Sequence, residues 1–166
     1  ALLTWFRQVY DYQKIEPYPT YYALKRALQP ILVSAELWGR NLYGGEKLPT
    51  RIYVVNDRED GTDLKSTLLR WEIQDETGKK LVWGDEELPA VKHYGRCYIE
   101  PNIQLPAKLP SNKVNAKLVL KLTENGLPVS ENEYNLLLAD KKWNIGQIAG
   151  NKKIVLLDND GTKAVF

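Results

Sequence analysis

The hydrophobic period of this chain changes at Pro30, and that change limits the fold more than any other feature. Before it, apolar residues recur every three or four positions; after it they alternate. In LLTWFRQVYDYQK, Leu2, Trp5, Phe6 and Val9 make a helical stripe. In PYPTYYALKRALQP, Pro19 suits a first helical turn, and Tyr21, Leu24 and Leu28 share one face while Lys25 and Arg26 point elsewhere. A proline disfavours helix at the residue before it, so a helical arm over residues 1–30 is expected to stop at Pro30.

From residue 31 the text is that of strands. Ile31, Val33, Ala35 and Leu37 alternate with Leu32, Ser34 and Glu36. WGRNLYGGE reads as a turn, TRIYVVN as the next strand and DREDGTD as a polar connection. In LLRWEIQ the alternation is sharp, with Leu69, Trp71 and Ile73 on one face and Arg70, Glu72 and Gln74 on the other. DETGKK is a turn whose glycine is expected at positive φ. LVW, CYIEPNIQL, AKLVLKLT and YNLLLAD complete the set, with ENGLP as a hairpin connection between the last two. About seven strands separated by turn signals, with no helical pattern between them, predict an all-β fold: an antiparallel β-sandwich of the immunoglobulin-like class.

The tail changes character again. KKIVLLDNDGTKAVF is a basic flank, a continuous apolar run, a turn and a possible helix start. A run such as IVLL suits a strand buried on both faces, as in α/β architecture, so residues 144–166 read as a linker or the start of a following α/β unit. The chain has no methionine and opens in mid-pattern. We therefore expect a segment of a longer protein.

Charge and composition exclude several classes. A formal charge of +2, from 23 basic and 21 acidic residues, gives no clustered basic footprint for nucleic acid. Runs such as Lys79-Lys80 and Asp85-Glu86-Glu87 read as solvated turns. No apolar run approaches the roughly 20 residues of a membrane-spanning helix. The opening lacks the basic and long apolar stretches of a signal peptide. A single cysteine, Cys97, rules out an intrachain disulfide.

Few residues invite chemistry. Trp71 reads as a core tryptophan, with ligand contact as the alternative. His93 and Cys97 lie four apart, but Gly95 interrupts any helix and a metal site would be short of ligands. Trp38, Tyr43, Trp83 and Tyr94 fall at strand ends or loops, where aromatic rings can stack on sugars. IVLLDNDGT looks like the first motif of the haloacid-dehalogenase-like phosphotransferases, with Asp158 as nucleophile and Asp160 as acid/base, although later motifs of that family have no room downstream. It resembles a calcium loop only loosely, since Gly161 is at the wrong offset and no bidentate glutamate follows. No metal or cofactor site is assigned.

A family resemblance covers residues 17–143. PYPTYYALKRALQPILVSAELWGRNLYGGEKLPTRIYVVND is similar to a junction in glycoside hydrolase family 2, the β-galactosidase, β-mannosidase and β-glucuronidase group. There the last helix of the catalytic (β/α)₈ barrel runs directly into an immunoglobulin-like sandwich. RIYVVND, LLRWEIQDETGKKL and YNLLLADKKW also look like strands of that sandwich. The resemblance implies three parts: residues 1–30 as a remnant of the barrel, 31–143 as the sandwich and 144–166 as the tail. It implies that Trp5, Phe6, Tyr21, Leu24 and Leu28 pack on the barrel of the same parent chain, and that the parent is a retaining glycoside hydrolase using two glutamates. None of Glu16, Glu36, Glu46 or Glu72 falls in a matching motif, so this segment is expected to be non-catalytic, an accessory domain in carbohydrate metabolism. The alternatives are a carbohydrate-binding module with its own glycan site and a phosphotransferase fragment using Asp158 and Asp160. Glycan contact and self-association of the fragment are further expectations. Bacterial members of the family imply a periplasmic or extracellular location.

Overall fold

The computed structural model describes residues 6–7, 11, 13–144, 154–158 and 161–165. The chain opens with two short paired strands, β1 (Phe6–Arg7) and β2 (Glu16–Pro17), followed by one helix, α1 (Pro19–Ala27). Eight strands then follow: β3 (Ile31–Leu37), β4 (Asn41–Tyr43), β5 (Thr50–Asn56), β6 (Thr67–Asp75), β7 (Lys80–Leu88), β8 (Gly95–Ile99), β9 (Lys113–Glu124) and β10 (Leu127–Ala139). A 3₁₀ turn, Lys141–Asn144, closes this run, and β11 (Ile154–Asp158) and β12 (Gly161–Val165) form a terminal hairpin.

The eight strands make two sheets. One has the order β3-β5-β8, the other β4-β10-β9-β6-β7, and every pair is antiparallel except β4 with β10. Their inner faces enclose one core. Val33, Ile52 and Val54 of the smaller sheet are buried with Leu69, Ile73, Leu118, Leu120, Leu122 and Leu138 of the larger. The predicted all-β sandwich is therefore what forms. Its alternation decides which residues enter, because a period of two sends every second side chain to one face.

Trp71 belongs to this core. Its ring lies over Gly84, its cross-strand partner on β7, where an added Cβ would come within 2.3 Å of the ring. A side chain at 84 and an indole at 71 cannot share that space. Turn chemistry also agrees with the sequence. Gly78 has φ of 83°, and the β9–β10 hairpin turns on Asn125 (φ 50°) and Gly126 (φ 81°), the pair of positive values that a two-residue hairpin needs.

Several expectations are corrected. The stripe through Phe6 is not helical there: Phe6–Arg7 is a strand that pairs with Glu16–Pro17. Asp11 stops any helix, accepting the Gln13 N–H on its carboxylate and the Lys14 N–H on its carbonyl, a local turn that competes with helical bonding. Leu2, Trp5 and Val9 lie outside the described residues. WGRNLYGGE holds a short strand, β4. Asp85-Glu86-Glu87 lie within β7 and not in a turn. CYIEPNIQL is strand only to Ile99, since Pro101 and Pro106 cannot donate to a ladder, though Ile103 and Leu105 still enter the core. After the apolar run of β11 comes a strand, not a helix start.

The outer edge of β3 is sealed by side chains. Along β10, Ser130, Asn132 and Tyr134 point the same way as Leu136 and Leu138. The Val33 N–H donates to Ser130 Oγ (3.0 Å), the Ala35 N–H donates to the Tyr134 hydroxyl (3.0 Å), and Asn132 Nδ2 donates to the Val33 carbonyl (3.0 Å). Three alternate polar residues thus replace the strand that would otherwise pair with this edge.

Candidate functional site

The helix enters the sandwich on a polar mount. Gln29, just past α1, accepts on Oε1 from the Ser130 hydroxyl (3.1 Å) and donates from Nε2 to the carbonyls of Arg26 (2.7 Å) and Glu131 (3.3 Å). One side chain therefore holds the last turn of α1 and the start of the β3 seal together. Arg26 adds a solvent-exposed ion pair to Glu133 at 3.7 Å. Lys25 and Arg26 in the last turn suit the negative end of the helix dipole.

What the mount presents is apolar. No residue of α1 is buried. Phe6, Tyr21, Leu24 and Leu28 line one open groove of about 380 Å³ with the stem of Lys25, and the Phe6 and Tyr21 rings meet at 5.1 Å. Leu28 is 76% exposed. Four of the five residues expected to face a barrel are thus gathered at one place; the fifth, Trp5, lies outside the described residues.

A second opening lies at the far end of β3. It is a cleft of about 610 Å³ walled by Glu36, Trp38, Lys47, Arg51, Glu100 and Pro101. Trp38 is 87% exposed, yet its indole N–H donates to Glu36 Oε1 at 2.7 Å. The other oxygen of Glu36 accepts from the Tyr53 hydroxyl at 3.1 Å. Arg51 donates to Glu100 at 2.7 Å and stands over the Tyr98 ring. The hydrogen bond to Glu100, then that with Tyr53, raises the Arg51 guanidinium above its already high value, so it is a permanent cation.

The remaining candidates stand apart. Cys97 lies on β8 opposite Val54, and burial pushes its thiol up, away from the thiolate a nucleophile needs. His93 meets the Tyr94 ring at 3.9 Å between centroids, tilted by 44°, in the turn before β8. Among the described residues, no three His, Cys, Asp or Glu side chains group as metal ligands. Trp83 and Tyr94 are exposed and Tyr43 is half-buried. Asp158 ends β11, while Asp160 lies outside the described residues.

Glu72 was expected on the solvent face of β6 and is only 2% exposed. Burial opposes its charge, but hydrogen bonds from Lys80 (2.6 Å) and Gln74 (2.6 Å) prevail and hold the carboxyl below the usual range. Sequence alternation placed it correctly on the outer face but could not show that it would lie between Trp83 and Val119 on the neighbouring strands with Lys80 donating to it. The mount was missed as well. Its only signal was the row Ser130, Asn132, Tyr134, polar at positions that continue as Leu136 and Leu138.

No protein-family model and no curated protein matches the chain. Solved structures are similar to it. A variant exo-chitosanase from Amycolatopsis orientalis, in complex with PNP-β-D-glucosamine, matches with a TM-score of 0.50 and 17% identity, over 69% of this chain and 12% of that one. A β-glucuronidase from glycoside hydrolase family 2 matches with a TM-score of 0.41 and 18% identity, over 64% of this chain and 11% of that one. The sporulation control protein Spo0M of Bacillus subtilis matches with a TM-score of 0.41 and 14% identity, over 70% of this chain and 52% of that one. At these identities the likeness is one of fold. The sandwich has the fold of a small part of the exo-chitosanase, and the chain spans about an eighth of that enzyme's length (12%).

Proposed function

We propose that this chain is a non-catalytic accessory domain of a multidomain glycoside hydrolase of the family 2 kind. Its task is mechanical. The groove of Phe6, Tyr21, Leu24 and Leu28 seats on the catalytic barrel of the same parent chain, and the sandwich holds α1 at a fixed angle through Gln29. The observation that carries this reading is the apolar face of α1, bare in the isolated chain although Gln29 ties the helix end to β10 by hydrogen bonds. A surface of that kind on a fixed support fits a partner that is absent. The fold shared with a segment of an exo-chitosanase supports the same reading. The expected location, periplasmic or extracellular, follows from the family alone.

Glu36 and Glu100 share a cleft but do not make a catalytic pair in this proposal. A retaining glycosidase needs one carboxylic acid kept protonated by an enclosed site. Glu100 is more than half exposed beside Arg51, and Glu36 is tied to Trp38 and Tyr53.

Light scattering across concentration tests the bare groove. The isolated chain is expected to self-associate as concentration rises, and Leu28→Asp to restore the monomer mass. A clean monomer at every concentration would count against the docking face. Saturable turnover of an aryl glycoside by the pure chain would overturn the non-catalytic assignment.

A further inference from the structure

We infer that the cleft at the far end of β3 is a binding subsite for an uncharged pyranose unit of a glycan, with Trp38 as its stacking platform. This goes beyond the mechanical role and uses a different end of the molecule. β3 has seven residues, which separates the Trp38 end from the Pro30 end by about 20 Å. A ligand on Trp38 therefore leaves the α1 groove free.

Three features argue for a sugar. The first is a ring that is both open and oriented. A lone exposed aromatic is ordinary, but Trp38 is anchored by its N–H to Glu36, which is itself held by Tyr53. Its rotamer is fixed without covering its face, so stacking loses little conformational freedom. The second is shape: about 610 Å³ lies within the range of small-ligand clefts, and Pro49 and Pro101 help to wall it. The third is charge. Two carboxylates, Glu36 and Glu100, face two cations, Lys47 and Arg51, and the formal sum is zero. Such walls offer acceptors and donors together, as hydroxyl groups require, and give no net field for an anion or a cation. An apolar ring face beneath such a mixed rim matches a pyranose, whose C–H groups lie on its faces and whose hydroxyls lie at its edge.

Trp83 is the natural control. It is also exposed, but its ring is covered on one side by the Arg70 guanidinium at 5.7 Å, which Asp85 holds.

The test titrates the full chain separately with cellohexaose, mannohexaose and a fully deacetylated glucosamine hexamer, following tryptophan fluorescence and calorimetric heat. At least one neutral hexamer is expected to bind saturably and more tightly than the cationic one. Trp38→Ala should then weaken binding by about tenfold or more, the equivalent of one lost stacking contact. Trp38→Phe should retain most of it, and Trp83→Ala should leave it unchanged. Trp38 is 87% exposed and lies outside the core cluster, so its replacement is expected to leave the fold intact, which circular dichroism checks. No saturable binding by either neutral hexamer overturns the proposal, as does binding that survives Trp38→Ala. Preference for the glucosamine hexamer overturns the uncharged class. None of these results bears on the α1 groove, whose own test is the Leu28→Asp mass measurement.

Discussion

The sandwich and the helical arm carry equally regular apolar patterns, yet they end in opposite states. Leu69, Ile73, Leu118, Leu120, Leu122 and Leu138 of the sandwich are completely buried, whereas α1 buries no residue. Each fully buried side chain of this kind contributes about 1.5–3 kcal/mol. Fixing the backbone costs about 1–2 kcal/mol per residue, and isolated helices shorter than about 12–15 residues are marginal in water. The nine residues of α1 have no buried face to offset that cost. They rely on Pro19 at the first turn, the basic last turn and the Gln29 mount. The sandwich thus holds the buried core, and the arm adds a helix that buries nothing within the described chain.

The sharpest way to test that division is to damage the self-sufficient side. Leu120→Ala removes a fully buried side chain between β6 and β10, and is expected to cost about 2–5 kcal/mol in urea or thermal unfolding. A loss under about 1 kcal/mol, the scale of an ordinary surface change, would mean the sandwich core is not what holds the chain together.

A smaller effect is expected where the two regions join. Ser130→Ala strips the Val33 N–H of its acceptor and Gln29 of one donor in a nearly buried site. An unsatisfied buried donor costs about 1–3 kcal/mol. The change should lower global stability and also release α1, read as faster hydrogen exchange in residues 19–28 than in the core strands. Exchange that changes equally everywhere would show that the mount does not specifically serve the helix.

Acid should act through carboxylates of the sandwich. Glu124, held below its usual range chiefly by Arg58, and Glu72, held there by Lys80 and Gln74 against its burial, both have depressed values in the folded state. Their contribution is present above the unfolded glutamate value of about 4.3 and is lost as pH falls through the folded values below it. Unfolding on acidification is expected to begin below about pH 4, and Glu72→Gln should flatten that fall. An unchanged slope in the variant would remove Glu72 from the account.

The sandwich was legible because its alternation is a local property: β3, β5, β6 and the β9–β10 hairpin follow from which residues repeat at two, with Gly78 and Asn125-Gly126 marking the turns. What escaped depends on distant partners. Three residues of β4 form a strand because Leu137–Ala139 of β10 runs alongside, and nothing in NLY announces that. Phe6 obeys a helical stripe but takes the extended form dictated by its pairing with Pro17 and the Asp11 turn. The α1 groove was legible as a set of residues and not as a shape, since Phe6 reaches Tyr21 through that unexpected strand pair. The Trp38 cleft was legible only as one exposed ring; Arg51 and Glu100 come to it from β5 and the end of β8, far away in sequence.

The smallest expected effect tests the comparison most directly. Leu28→Asp places a charge on the apolar groove of the arm. Were α1 part of the folding unit, that charge would enter a packed interface and cost several kcal/mol, as a buried unpaired charge does. Because Leu28 is 76% exposed and its groove is open, the change is expected to move the stability of the isolated chain by no more than about 0.5 kcal/mol. On the proposed reading, the same substitution in a parent enzyme whose barrel covers the groove should lower the melting temperature while leaving the turnover chemistry intact. Equal effects in the two settings would dissolve the distinction: large in both makes the arm part of the sandwich, and negligible in both leaves the groove without a partner.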